Sequence, residues 1–251
     1  MSSARTRPRP ELLVLVLLVL GIAGCTEDEL PAPDLHADYY PVHIGHWVNY
    51  AVDSIRFDDF TDPVTIDTLS VQIRHAITDT FRDLDGRLVH RLERFRRPDE
   101  ASSWAIDAVG EVLRTERNIQ EDLFDLRFVR LIFPPRDGAT FEGHVYINTA
   151  GNPPYSYLDP DRYDWTHRVV DVHQPFTVGA LTFDSTVTVQ RIDDENAFEK
   201  KLGVDVYAKG VGLVYRDLLI LETQQPPSGV PFVDRAERGF IVRYRAIDHA
   251  P

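Results

Sequence analysis

Hydrophobic and polar residues alternate one by one along much of the chain after residue 39, which is the period of a β-strand with one buried face. The segments with the clearest alternation are 71–77, 183–190, 211–221 and 240–246. They are rich in β-branched and aromatic residues, as strands are. The pattern predicts a mostly β fold with at most short helices. We expect a single antiparallel domain, built as a curved sheet, an open barrel or a sandwich.

Several shorter segments have a predicted local structure. Asp85-Gly86, between two extended segments, predicts a tight hairpin turn. Residues 118–130 have the composition of a short helix, but alternation in their second half favours a strand there. One helical turn is expected within 193–201, and a long surface loop over 151–165, which is rich in Pro, Tyr and Asp. The glycines at 210 and 212 predict a β-bulge or a close backbone approach in the strand pair before Leu213.

The first 25 residues have the layout of a secretory signal. Arg5, Arg7 and Arg9 precede an apolar run over 12–23, and Cys25 follows directly after small residues. At 1.5 Å per residue the apolar run spans about 18 Å, short of the roughly 30 Å hydrocarbon core of a bilayer. A permanent membrane-spanning helix is therefore the weaker interpretation.

Residues 22–25, Ile-Ala-Gly-Cys, resemble the bacterial lipobox. This resemblance implies a diacylglyceryl group on the Cys25 sulfur, cleavage before Cys25 and acylation of the new N-terminus. The alternative is an ordinary signal with a chance cysteine. Because Cys25 is the only cysteine, the chain can form no internal disulfide, and acylation would leave no thiol for catalysis. Three regions follow: a signal peptide over 1–24, the acylated Cys25 with a flexible acidic tether over 25–38, and a β-rich globular domain over 39–251.

Charge narrows the choice of partners. The formal net charge is −13, which argues against a nucleic-acid partner because phosphate binding needs a cationic face. An acidic domain is also repelled by anionic lipid, so we expect the acyl anchor to hold the protein at the membrane. The expected location is the cell envelope, as an outer-membrane lipoprotein on the periplasmic or the surface side.

Three segments resemble a family of uncharacterised lipoproteins of Bacteroidota and their relatives. They are 40–50 (YPVHIGHWVNY), 118–134 and 205–217 (DVYAKGVGLVYRD). The resemblance covers most of residues 39–225 and implies a lipoprotein, but it carries no activity. The chain departs from the family pattern at His46, where Asn is usual, and at Asp205, where Glu is usual.

Candidate chemistry is sparse. Asp159, Asp161 and Asp164 could supply oxygen ligands to a metal ion such as Ca²⁺, although the spacing lacks the glycine and distal glutamate of an EF-hand loop. His167 and His173, with Asp171, share the parity of one strand face and could form a metal or acid/base site. The alternative for each group is a solvated turn or a surface pairing. No motif for a cofactor or a catalytic centre is recognised, which favours a non-enzymatic protein without a cofactor.

An aromatic cluster offers a surface for a partner. Tyr155, Tyr157, Tyr163 and Trp165 lie in the proline-rich segment, and exposed aromatic rings stack on sugars or contact proteins. The alternative is that these rings fold back and cap the sheet.

Three functions remain open from the sequence. The first is a lipid-anchored envelope protein with a non-enzymatic binding or structural role, whose partner is an envelope protein or glycan. The second is a carrier or sensor of an apolar ligand in a β cavity. The third is a hydrolase of envelope glycans that uses paired carboxylates.

Overall fold

Twelve strands make up the domain. The computed structural model describes residues 33–149, 153–159, 161–225 and 229–250. The strands are β1 (Trp47–Asp58), β2 (Thr65–Arg82), β3 (Leu88–Arg97), β4 (Ala105–Arg114), β5 (Asn118–Leu123), β6 (Leu126–Ile132), β7 (Thr140–Glu142), β8 (Thr166–Val178), β9 (Leu181–Glu195), β10 (Glu199–Ala208), β11 (Gly212–Glu222) and β12 (Arg238–His249). Within the described ranges the helical segments are three short 3-10 turns, at Ala37–Tyr39, Pro153–Leu158 and Phe232–Arg235.

The strands form one antiparallel sheet that nearly closes on itself. Its order is β6-β5-β4-β3-β2-β1-β12-β11-β10-β9-β8-β7, so the last strand pairs with the first and the two edges are β6 and β7. The Val129 N–H of β6 donates to the Gly143 carbonyl directly after β7, at 2.9 Å. This bond joins the two edges. The prediction of a mostly β, single antiparallel domain is confirmed, and the architecture is an open barrel.

Alternation along the strands builds the core inside the barrel. Val52 of β1 lies opposite Val71 of β2 on one side and Tyr244 of β12 on the other. Ile73 and Val189 are fully buried in the same core. Their alternating polar neighbours face outward, as the sequence pattern predicts.

A second apolar layer covers part of the outer surface. Leu219, Leu221 and Ile241 pack there with Phe232 of the last 3-10 turn. The alternation over 211–221 therefore describes an outer face beyond residue 215, which the sequence pattern alone does not reveal. The register of β10 and β11 shifts where Val206 pairs with Tyr215 and Tyr207 with Leu213, so Val214 is the extra residue and the bulge changes which side chains point inward. The bulge predicted at the two glycines is therefore wrong in position, because Gly210 lies in the turn and Gly212 begins β11.

Antiparallel neighbours place successive connections at opposite ends of the barrel. One end, here called the loop end, carries the connections 59–64, 98–104, 124–125, 143–165, 196–198 and 223–237. The opposite end, here called the plug end, carries the short connections 83–87, 115–117, 133–139, 179–180 and 209–211. The segment 34–46 leads into β1 at the plug end and supplies the plug.

The plug is anchored by Tyr39. This side chain is fully buried, and its hydroxyl lies 2.7 Å from His173 Nδ1 and 2.7 Å from Ser185 Oγ. Leu35 and Ala37 pack against the same core. The compact unit therefore begins at Asp34, and the flexible tether predicted over 25–38 is wrong for its last residues. Cys25 and the signal segment 1–24 lie outside the described residues.

Local predictions have mixed outcomes. Asp85-Gly86 forms the turn between β2 and β3, with a positive φ of 76° at Gly86. Residues 118–130 are strand in both halves, as β5 and β6. The helical turn expected within 193–201 is wrong, because β9 and β10 form a hairpin there. Within the described residues no helix is long and apolar enough to cross a membrane.

Candidate functional site

The middle of the barrel contains ion pairs instead of a purely apolar core. Asp205 of β10 lies directly opposite Arg216 of β11, and the two side chains form a bidentate pair with both N–O distances at 2.7 Å. The Tyr207 hydroxyl donates to Asp205 at 3.2 Å. Burial alone would raise the pKa of Asp205, but Arg216 and Arg191 hold that pKa well below its ordinary value. Asp205 is therefore a fixed anion.

A second buried ion pair joins β5 to the edge strand β6. Glu121 of β5 accepts two hydrogen bonds from Arg130 of β6, at 3.0 and 2.8 Å. Tyr40 of the plug donates its hydroxyl hydrogen to the other Glu121 oxygen at 2.6 Å. Burial alone would raise the pKa of Glu121, but Arg130 and Arg216 hold it at about 2. The pair thus ties the plug to the edge of the sheet.

Arg191 of β9 adds a third guanidinium to this interior. It is almost completely buried, and its Nη1 lies 3.9 Å from Asp205. Burial lowers the pKa of Arg191 to about 10, so the group is charged at neutral pH. Together with Arg130 and Arg216 it gives three cations against the two anions Asp205 and Glu121. The cluster carries one net positive charge and depends on both carboxylates for its neutralisation.

Two buried histidines lie next to Arg191. His144 stacks on Trp165 with ring centroids 4.1 Å apart, and His167 meets His144 edge to face at 5.6 Å. Burial and then the charge of Arg191 lower the pKa of His144 to about 3, and the same causes lower the pKa of His167 well below its ordinary value. Both rings are therefore neutral at physiological pH. A Cβ on Gly143 would lie 1.9 Å from the His167 ring, so only glycine fits where the barrel edges meet.

This interior is unsuited to two of the functions that the sequence leaves open. A glycosidase needs one carboxylic acid whose pKa is raised so that it can donate a proton, whereas the pKa values of Glu121 and Asp205 are both lowered. A carrier of an apolar ligand needs a barrel interior lined by hydrophobic side chains, whereas ion pairs occupy the inward-facing positions in the middle of this barrel. The cavity beside Glu121 and His75 at the plug end measures only about 40 Å³, room for a few water molecules.

An open cleft lies at the loop end, where the inner face of the sheet meets solvent. It consists of two adjoining hollows of about 470 and 230 Å³ that share Ser54 of β1 and Val242 of β12. Small-molecule sites in proteins commonly measure 300–1,000 Å³ and occur at the mouths of β-barrels. The cleft therefore has the size and position of a binding site.

Aromatic rings and balanced charges line the cleft. Tyr157 and Phe240 meet edge to face at 5.2 Å in its wall, and Phe60 and Tyr244 also contribute. The charged lining residues are four arginines and four acids: Arg56, Arg94, Arg96, Arg238, Asp58, Asp59, Asp107 and Glu222. Among the residues that the structure describes, the side chains of Arg96 and Arg238 have no ion-pair or hydrogen-bond partner. The cleft therefore presents aromatic faces beside equal numbers of hydrogen-bond-donating arginines and hydrogen-bond-accepting acids.

The predicted partner surface is wrong for Trp165. That ring is 1% exposed, and its Nε1 donates to the Tyr157 carbonyl at 3.1 Å. Tyr155, Tyr157 and Tyr163 are half-buried and pack against the same cluster. These aromatics mainly cap the end of the sheet, which is the alternative that the sequence leaves open. Tyr157 alone among the four lines the cleft.

The predicted metal ligands do not come together. Asp159 accepts from the Asp161 N–H, and Asp164 from the Thr166 N–H, so both act within local turns. Across the described ranges, no group of three or more His, Cys, Asp and Glu side chains is arranged to hold a metal.

The trio of His167, Asp171 and His173 is also separated. Asp171 and His173 have φ values of 52° and 60°, and the pairing of β8 with β9 is irregular between Val170 and Gln174. This irregularity breaks the alternation, so that His167 is buried in the barrel while His173 contacts the plug. The prediction that the trio shares one face is wrong.

Comparisons with known proteins give limited similarity. No family model matches the sequence, and no curated protein matches it. Among solved structures, the chain is similar to a presumed exported protein with a YmcC-like fold from Bacteroides fragilis, at 11% identity and a TM-score of 0.35. The similar region covers 83% of this chain and 98% of that chain.

Proposed function

We propose that this chain is a lipid-anchored envelope protein with a non-enzymatic binding role. Cys25 is the proposed site of acylation, and the lipobox at 22–25 supports it. The resemblance of segments 40–50, 118–134 and 205–217 to lipoproteins of Bacteroidota supports the same assignment and a place in the outer membrane. The barrel is then a rigid support, and the binding function resides on the surface that it exposes.

The cleft at the loop end is the proposed binding site, and its lining is the observation that supports a ligand class. Sugar rings have apolar faces that stack on aromatic side chains, and hydroxyl groups that both donate and accept hydrogen bonds. Tyr157 and Phe240 supply aromatic faces, while the equal numbers of arginines and acids supply donors and acceptors. Because the cleft charges balance, we propose a neutral oligosaccharide of the envelope as the ligand.

Titration of the purified full-length mature protein with a panel of neutral oligosaccharides tests this proposal. We expect at least one member to bind, and Arg238→Ala to weaken its binding about tenfold or more, since a hydrogen bond from a charged group contributes about 1.5–3 kcal/mol. The matched control is Arg117→Ala, another exposed arginine, which lies at the plug end. Absence of binding to every member, or an equal loss in both variants, contradicts the proposed site.

A further inference from the structure

Exposed hydrophobic side chains gather at the loop end. Five of its six connections contain at least one within their described residues, and Phe60 and Phe124 are 93% and 53% exposed. The exposed large hydrophobic residues in these connections are Phe60, Phe124, Val145, Tyr146, Phe198 and Val230. Of the five plug-end connections, all of which the structure describes, only 83–87 exposes a large hydrophobic residue, Leu84; Ile44 adds one in the plug.

The same end concentrates negative charge. The six connections at the loop end contain ten acidic and two basic residues, whereas the five at the plug end contain four of each. Antiparallel topology alone separates these two sets, because consecutive connections lie at opposite ends. The loop end is therefore an acidic surface with apolar tips around the mouth of the cleft.

The negative charge and the exposed hydrophobic side chains of the loop end together indicate which kind of partner can bind there. An anionic lipid surface would be repelled by the acidic connections, and a second copy would bring two like-charged faces together. Exposed aromatic and aliphatic side chains within a charged surface are characteristic of protein interfaces. We propose that the loop end docks a protein whose surface places Lys and Arg around apolar pockets.

The proposed interface divides its roles between the two kinds of residue. Phe60, Phe124 and Phe198 supply the apolar area that anchors the complex. The acidic side chains accelerate the encounter and select a basic partner, so association weakens as ionic strength rises. This docking does not require an oligosaccharide in the cleft.

Photo-crosslinking in cells that produce the full chain tests the interface. The photoreactive amino acid p-benzoylphenylalanine replaces Phe60, Phe124 or Phe198 in turn, and Leu84 as the control at the plug end. We expect the loop-end positions to give the same protein adduct at least fivefold more strongly than position 84. Mass spectrometry of the adduct should identify a partner segment with an excess of Lys and Arg beside hydrophobic residues.

Charge-reversal variants provide a second test of the proposed interface. The combination Asp62→Lys, Glu100→Lys and Asp125→Lys, none of which lines the cleft, should reduce the adduct at least fivefold, whereas Glu116→Lys at the plug end should leave it unchanged. A folded circular-dichroism spectrum confirms that each variant retains the barrel. The proposal is overturned if no adduct forms, if position 84 reacts equally, if the adduct is lipid or a second copy, or if charge reversal has no effect. Oligosaccharide titration of the same variants separates this failure from a failure of the cleft.

Discussion

Asp205→Ala is expected to lower the free energy of unfolding by about 3–5 kcal/mol, the cost of breaking a buried ion pair by removing one partner. The Asp205 carboxylate receives both hydrogen bonds of Arg216 and lies 3.9 Å from Arg191. Its removal leaves these two guanidinium groups in the barrel without their neutralising anion. The remaining carboxylate, Glu121, is already bound by Arg130 and cannot replace it.

Urea-induced unfolding at pH 7.5 measures this effect. Asp194→Ala is the matched control, because Asp194 is an exposed acid on the neighbouring strand β9 and its loss should change stability by less than about 0.5 kcal/mol. A loss below about 1 kcal/mol for Asp205→Ala would mean that the interior is hydrated and that the ion pair contributes little. Such a result would contradict a closed, ionic barrel interior.

Acidification from pH 7.5 to pH 5.5 is expected to lower the free energy of unfolding by about 4 kcal/mol. Burial lowers the pKa of His75 to about 4 and that of His144 to about 3, and it lowers the pKa of His167 well below 6.5. In the unfolded chain each ring takes up a proton as the pH falls below about 6.5, whereas the folded rings do not. Each then costs about 1.4 kcal/mol per pH unit.

The sign follows from these lowered values. The histidine contribution is complete above about pH 6.5 and is lost as the pH falls towards the folded pKa values. Glu121 is an acid whose pKa is lowered, to about 2 in the folded protein against an ordinary 4.5. Its contribution to the free energy of unfolding is therefore lost only below about pH 4.5 and does not change between pH 7.5 and pH 5.5. Urea unfolding at the two pH values is the measurement.

A variant assigns the pH effect to the histidines. His144→Phe keeps an aromatic ring between Phe128 and Trp165 but removes one titrating group. It should therefore lose about a third of the pH dependence. Stability that does not change between pH 7.5 and pH 5.5 would show that these rings are already protonated or exposed in the folded protein.

Much of the fold could be predicted from the sequence because local alternation reports a buried face. Val71, Ile73 and Ile77 alternate with polar residues and lie in the inner core, as do Val187 and Val189. The same rule fails for Leu219 and Leu221, which pack on the outside under Phe232. Where both faces of a sheet are covered by apolar residues, alternation in the sequence does not show which face lies inside the barrel.

The ionic interior could not be predicted from alternation, because a charged residue in a strand is ordinarily a sign of solvent. Asp205 and Arg216 are buried only because the sheet closes. Closure brings strands that are distant in the sequence next to each other. Likewise, His173 and Asp171 could not be placed by parity, because left-handed backbone in the middle of β8 reverses it.

The cleft depends in the same way on connections from different parts of the chain. Phe60, Tyr157 and Arg238 come from three connections or strand ends that meet only at the loop end. The segment 151–165 suggested an aromatic surface, but the sequence could not show that Trp165 turns inward while Tyr157 reaches the cleft. Topology supplies that information.

Attachment through Cys25 underlies the proposed role of the whole molecule in the envelope, and the intact mass of the protein extracted from membranes tests it directly. We expect a chain that starts at Cys25, with a diacylglyceryl group on its sulfur and an acyl group on its amine. Recovery of the protein in the soluble fraction, with residues 1–24 retained or with an unmodified Cys25 thiol, would contradict the lipid anchor.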